Sequence, residues 1–166
     1  MDDNQTNKEA SDQEKLAQEK RDQDKCTHLA YGLLVRREHA RQELYWKLKQ
    51  RPSCKHVDLD VLLNQLEAEN YLSDERYTEV AVRYDISKGY GPIKIAYRLR
   101  EKGVNEVYIR RYLYAEDIEW SLLIATVRQK RFGIAIPNDL KDRVKQSRFL
   151  AGRGFTTDMI KNELSL

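Results

Sequence analysis

Two hexapeptides about fifty residues apart constrain this chain more than any other feature. Leu99-Arg100-Glu101-Lys102-Gly103-Val104 aligns with Leu150-Ala151-Gly152-Arg153-Gly154-Phe155, and the same shift carries Ile95 back to Leu44 and Leu99 back to Leu48. In both hexapeptides a glycine follows a basic turn and an apolar residue follows the glycine, which is how a helix ends in a left-handed cap. A repeat of this length built on helices predicts small units that cannot each bury a core and therefore stack on their neighbours.

The rhythm between the glycines agrees. From Thr27 onward apolar residues recur at three- and four-residue steps: Leu29, Leu33 and Leu34 share one face, Leu44 and Leu48 another, and Val57, Val61, Leu62 and Leu66 a third. Breaks fall at Arg51-Pro52, Gly89-Tyr90-Gly91-Pro92, Lys102-Gly103, Gly133, Pro137 and Gly152-Arg153-Gly154. Ser73 before Asp74 and Glu75, Pro92 after Gly91, and Thr156 or Thr157 before Asp158 are helix starts. The expectation is an all-α chain of three tandem three-helix, helix-turn-helix-like repeats at 26–71, 72–115 and 116–166, forming an elongated, curved body. Helices are expected at 27–37, 39–50 and 56–70, at 73–87, 92–102 and 104–114, and at 116–132, 138–152 and 156–164. With 7 Gly and 3 Pro in 166 residues, a turn-rich barrel or sandwich is excluded.

Residues 1–25 stand apart. They carry eight acids and five bases, and Leu16 is their only larger aliphatic residue after Met1, so they read as a solvated acidic leader, disordered or loosely helical and dispensable for folding. The rest of the chain is basic, since the whole is +3. The longest apolar stretch, Leu122 to Ala125, is far below a membrane span, no signal segment is evident, and two cysteines are too few for a secreted framework. A cytoplasmic monomer with no membrane partner is expected.

Chemistry is sparse. The phosphate-loop, zincin and nucleophile-elbow motifs are missing from the sequence, and neither catalytic residues nor a cofactor are expected. Cys26-x-His28 and Cys54-x-His56 have the ligand types of a zinc site, and an up-down-up unit brings the two pairs to one end. A one-residue gap on a helix, however, throws two side chains to opposite faces, so no metal is expected.

The bases carry more information. Between Arg76 and Arg111 nine bases face four acids, with Tyr77, Tyr84, Tyr90, Tyr97 and Tyr108 interleaved. Arg128, Lys130, Arg131, Lys141, Arg143, Lys145, Arg148, Arg153 and Lys161 repeat the bias in the third repeat. Such a surface predicts a polyanion, or a protein that holds one, as partner.

Four stretches, in this order and spacing, resemble the RecX family of bacterial RecA regulators: Arg37-Glu38-His39-Ala40-Arg41-Gln42-Glu43-Leu44, Tyr71 to Tyr77, Lys88-Gly89-Tyr90-Gly91-Pro92-Ile93-Lys94-Ile95, and Arg148 to Phe155. The resemblance covers about residues 27–164. Departures are Ala40 for the family's usual Ser, Asn70 for Gly, and Arg98 for an acid. The resemblance implies a non-enzymatic protein that binds the RecA nucleoprotein filament, and single-stranded DNA within or beside it. It further implies restraint of filament extension, ATP hydrolysis, strand exchange and co-protease activity, and so modulation of recombination and the SOS response. Filament or DNA contact would fall on Lys88, Tyr90, Lys94, Arg98, Arg148 and Arg153, with Gly89, Gly91, Pro92 and Gly154 shaping the turns. A direct DNA-binding protein of helix-turn-helix type is the other reading. Reversing Lys88, Lys94 and Arg98 is expected to impair function and spare folding.

Overall fold

The structure, a computed structural model, describes the backbone of residues 3–165. Nine α-helices occur among the described residues: α1 (Asp3–Leu34), α2 (Arg41–Lys49), α3 (Leu59–Ala68), α4 (Asp74–Ser87), α5 (Pro92–Glu101), α6 (Glu106–Leu113), α7 (Trp120–Phe132), α8 (Leu140–Arg153) and α9 (Thr157–Leu164). A 3-10 turn, Pro52–Cys54, separates α2 from α3. From α2 onward each helix lies within four residues of the bounds that periodicity predicts.

The caps explain that agreement. Asp58 accepts from the Asp60 and Val61 amides, Asn105 from Val107, Asp139 from Asp142 and Thr156 from Met159, each satisfying donors that the helix itself cannot. Ala40 precedes α2 without a side-chain cap. Asn70 adopts φ 61°, a left-handed conformation that asparagine tolerates better than most residues.

The leader takes the helical of its two expected forms, but not as a separate segment. One helix runs through the boundary that composition drew at residue 25, reaching from Asp3 to Leu34. The first glycine is Gly32 and no proline precedes Pro52, so nothing interrupts a stretch rich in Gln, Lys, Glu and Ala. Among the residues whose burial is described, the first buried ones are Cys26 and Ala30.

The described residues form two compact units that divide between Ser73 and Asp74. In the first, Cys26, Ala30, Leu44, Leu48, Leu59, Leu62, Leu63, Leu66 and Leu72 make one core, with Tyr31 packed edge-on against Tyr71 at 5.0 Å. Cys26 and Cys54 are joined in a disulfide that ties α1 to the 3-10 turn. The two pairs weighed as zinc ligands thus do meet, but their sulfurs bond each other, while His28 and His56 are exposed. Periodicity carries no register for a bond of that kind.

In the second unit, α4 to α6 bury Val82, Ile95, Leu99, Ile109 and Leu113, and α7 to α9 bury Ile124, Leu150, Phe155, Ile160 and Leu164. The two triplets join where α5 begins and α8 ends: the Gly91 amide donates to the Arg153 carbonyl at 2.9 Å and the Ile93 amide to Gly154 at 3.0 Å. Unpaired amides at one helix's start therefore meet unpaired carbonyls at another's end, with the two dipoles head to tail. Only glycine permits the approach, because a Cβ on Gly91 would lie 2.4 Å from the Gly154 oxygen and one on Gly154 would lie 2.3 Å from the Lys94 Cβ. Among the described residues, no helix is long and apolar enough to cross a membrane.

Candidate functional site

The α5–α8 junction places the basic residues. Gly91 and Pro92 start α5, Gly154 caps α8 at φ 90°, and the backbone bonds between them fix both ends in register. Tyr90 sits immediately before this junction, its amide donating to the Asp85 carbonyl at 3.1 Å. Three cations converge on its ring: the Lys94 ammonium at 4.5 Å from the centroid, the Arg98 guanidinium at 5.4 Å and the Arg153 guanidinium at 5.6 Å. Each such contact is worth about 0.5–1 kcal/mol when exposed. Lys94 and Arg98 lie four residues apart on one face of α5, while Arg153 arrives from α8.

Arg153 is held on three sides. Its Nη1 donates to the Lys88 carbonyl at 3.0 Å, and its guanidinium lies 5.4 Å from the Phe149 ring as well as over Tyr90. Lys94 is less constrained: its Nζ is 3.4 Å from the Gly152 carbonyl, at the long end of a hydrogen bond. The arrangement is a rigid aromatic plate with positive charge on several sides, suited to an anionic or carbonyl-rich partner surface.

Of the six residues singled out in the sequence, Tyr90, Lys94, Arg98 and Arg153 come together here. Lys88 contributes its carbonyl, and its ammonium turns to the Tyr84 ring at 5.2 Å. Arg148 is exposed on α8 and lines a separate depression with Asp139, Leu140, Lys141, Asp142, Val144 and Lys145. It does not join the cluster at Tyr90.

Arg98 needs a correction. Its Nη1 donates at 2.8 Å to Asp85, whose side chain is 7% exposed. Burial pushes the Asp85 carboxyl above the ordinary range, with Arg98 and then Lys94 drawing it partly back. Reversing Arg98 would set two carboxylates together in a buried place, so the expectation that this substitution spares folding fails for a physical reason. Sequence reasoning misses Asp85 because a charge count gives an acid no position, and its pairing with Arg98 spans two helices.

The comparisons with known proteins follow this layout. Residues 73–113 match the RecX second three-helix domain and residues 118–163 the RecX third three-helix domain. The chain is 38% identical over 135 residues to the regulatory protein RecX of Halorhodospira halophila, covering 80% of this chain and 81% of that one. It is 40% identical over 136 residues to the regulatory protein RecX of a Pseudomonas putida strain, covering 82% and 86%. Its fold is similar to the crystal structure of RecX from Lactobacillus salivarius, with TM-score 0.71 at 21% identity over 87% of this chain and 95% of that one. A second solved regulatory protein RecX gives TM-score 0.70 at 22% identity, covering 87% and 73%.

Proposed function

Because this chain belongs to the RecX family of regulatory proteins, we propose that it binds the RecA–DNA filament through the Tyr90 cluster and restrains the filament's extension, ATPase, strand exchange and co-protease activity. The observation that carries this reading is the convergence of Lys94, Arg98 and Arg153 on one tyrosine at a junction built from backbone hydrogen bonds. A preformed site loses little conformational freedom on binding. Several modest contacts of this kind, repeated along a filament of identical subunits, would add up through high effective concentration. The protein acts in this reading by occupying a surface, with no bond made or broken.

The test is ATP hydrolysis by RecA recombinase on single-stranded DNA, titrated with this protein. Lys88→Glu with Lys94→Glu leaves the Arg98–Asp85 pair intact, so the melting temperature should hold, as exposed charges contribute under about 1 kcal/mol each. The concentration giving half inhibition should rise about tenfold, and the difference should shrink with added salt. Inhibition by this folded double variant at the original concentration would remove the Tyr90 cluster as the contact.

A further inference from the structure

The bond between Cys26 and Cys54 joins two elements of unequal strength. Cys26 sits within α1, with helix on both sides and Ala30 one turn on in the same core. Cys54 ends the 3-10 turn, which is held by the Cys54 amide on the Arg51 carbonyl at 3.0 Å and the Lys55 amide on the Pro52 carbonyl at 3.2 Å. Such a turn has poorer hydrogen-bond geometry than an α-helix and opens before it. Both cysteines are buried, so a reagent reaches the sulfurs through that opening. The surroundings favour its approach. Lys25 and Ser53, the residues immediately before the two cysteines, line a cleft of about 560 Å³ with Asp24, His28 and Leu29, which is room for a small-molecule ligand. Around Cys54 the charge is one-sided: no acid occurs between Glu43 and Asp58, a stretch that holds Lys47, Lys49, Arg51 and Lys55, the last three exposed. Positive charge beside a cysteine stabilises its thiolate and draws in anions.

We infer that the Cys26–Cys54 bridge is a reversible thiol-exchange site for a small anionic thiol of the glutathione class, entered at Cys54. With the turn open, the incoming thiolate bonds to the Cys54 Sγ, the bond between the two cysteines breaks, and its electron pair leaves on the Cys26 Sγ, which takes up a proton. A second thiolate then attacks the sulfur of the attached small molecule. That step forms the small-molecule disulfide and releases the Cys54 Sγ as a thiolate, which is protonated in turn. Two small thiols are oxidised and one protein disulfide is reduced, and the oxidised small molecule drives the same steps backward. The leucine-rich core survives the change, because reduced cysteines pack as small apolar side chains. Exchange therefore sets how firmly α1 is tethered to the turn while the first unit stays folded.

This inference does not rest on the recombinase contact and is tested without recombinase, so either can fail while the other stands. The full chain is equilibrated without denaturant in mixtures of reduced and oxidised glutathione, quenched with an alkylating agent, and analysed by mass both intact and after digestion. Doubly alkylated chain should replace bridged chain as reduced glutathione rises, and the bridge should return when the mixture is reversed. Circular dichroism should stay helical throughout, and the trapped glutathione adduct should sit on Cys54. Arg51→Glu with Lys55→Glu should slow opening by reduced glutathione about fivefold at low salt but opening by 2-mercaptoethanol only about twofold, because the glutathione thiolate carries one more negative charge. A bridge that stays closed to millimolar reduced glutathione until the chain is denatured overturns the inference, as does an adduct found on Cys26. Equal slowing with the two thiols overturns the preference for an anionic one. The measurements on the unaltered chain decide the exchange by themselves if the double variant fails to fold.

Discussion

The two units of this chain are held together by different means. In the first, α1 to α3 depend on side chains: a leucine-rich core, a disulfide from Cys26 to Cys54, and exposed ion pairs such as Arg41 with Asp60 and Glu67. In the second, the triplets α4–α6 and α7–α9 meet backbone to backbone at Gly91 and Gly154, and an arginine is buried between elements. That arginine, Arg128, is 2% exposed; it pairs with Glu163 at 2.6 Å and donates to the carbonyls of Gly133, Ala135 and Ile134. Side-chain packing tolerates exchange of one apolar residue for another of like volume. A backbone junction does not, since there is no atom to remove.

Four experiments would break or sharpen that contrast, and the two tryptophans make it observable. Trp46 lies in the first unit and Trp120 packs on the core of the second, so replacing either by Phe leaves a reporter for the other. The largest effect is expected from Gly154→Val, which combines a Cβ clash with a forbidden left-handed φ of 90° and should cost about 5 kcal/mol in the Trp120 signal. Gly103→Val, at φ 75°, should cost roughly 1 kcal/mol or more through its cap. Equal losses at the two glycines would mean the junction contributes nothing beyond a cap.

Next in size is Arg128→Met, which strands Glu163 and three loop carbonyls and should cost about 4 kcal/mol by denaturant melt. A neutral result would show that the loop simply reorganises around water. Reduction of the disulfide comes third. Opening a link across 28 residues should lower the stability read by Trp46 by about 3 kcal/mol and leave the Trp120 transition where it was. A shift of both transitions would deny the units their independence.

The smallest effect is a pH dependence of opposite sign in the two units. His39 is buried, its Nδ1–H donating to the Arg37 carbonyl at 3.0 Å while Nε2 accepts from the Lys47 ammonium at 3.0 Å. Burial holds its pKa below the ordinary 6.5, with the charges of Arg37 and Lys47 adding to that, and the Arg37 carbonyl and Glu43 opposing it. The fold therefore favours the neutral ring, and the first unit should lose stability as pH falls below 6.5 and through the folded value. Asp85 has the reverse sign: its raised pKa means the second unit gains from protonation as pH falls through the folded value toward 3.8. His39→Gln should flatten only the Trp46 profile. Parallel profiles in both reporters would contradict the assignment.

The helices are legible in the sequence because each is written locally. Apolar spacing, Thr156 before a first turn and Gly154 after a last one act over three or four residues, and the structure follows them. The Tyr90 cluster is legible in part: its residues stand in or beside two of the stretches that suggest the family, but nothing in a one-dimensional pattern says that Arg153 reaches Tyr90 whereas Arg148, five residues earlier on the same helix, faces elsewhere. Pairings that join distant positions are read at most as proximity, as with the helix ends that carry Cys26 and Cys54. Cys26 with Cys54, Arg98 with Asp85 and Arg128 with Glu163 each depend on how helices cross, which composition and period do not encode. Composition leaves the leader open between disorder and helix, and it cannot choose because the exposed stretch continues a helix whose far end is packed.

That adjacency governs how the amino-terminal helix melts. A free peptide of its composition must first form a turn against a steep nucleation barrier, but here the turns around Cys26 and Ala30 are already fixed by the core, so helix spreads outward from them by propagation alone. At 1.5 Å per residue the 32 residues extend for about 48 Å, and residues 13–21 are exposed throughout. Fraying should therefore begin in the turns farthest from Cys26 and creep toward the core as temperature rises, giving a sloping loss of circular dichroism ahead of the sharp transition of the core.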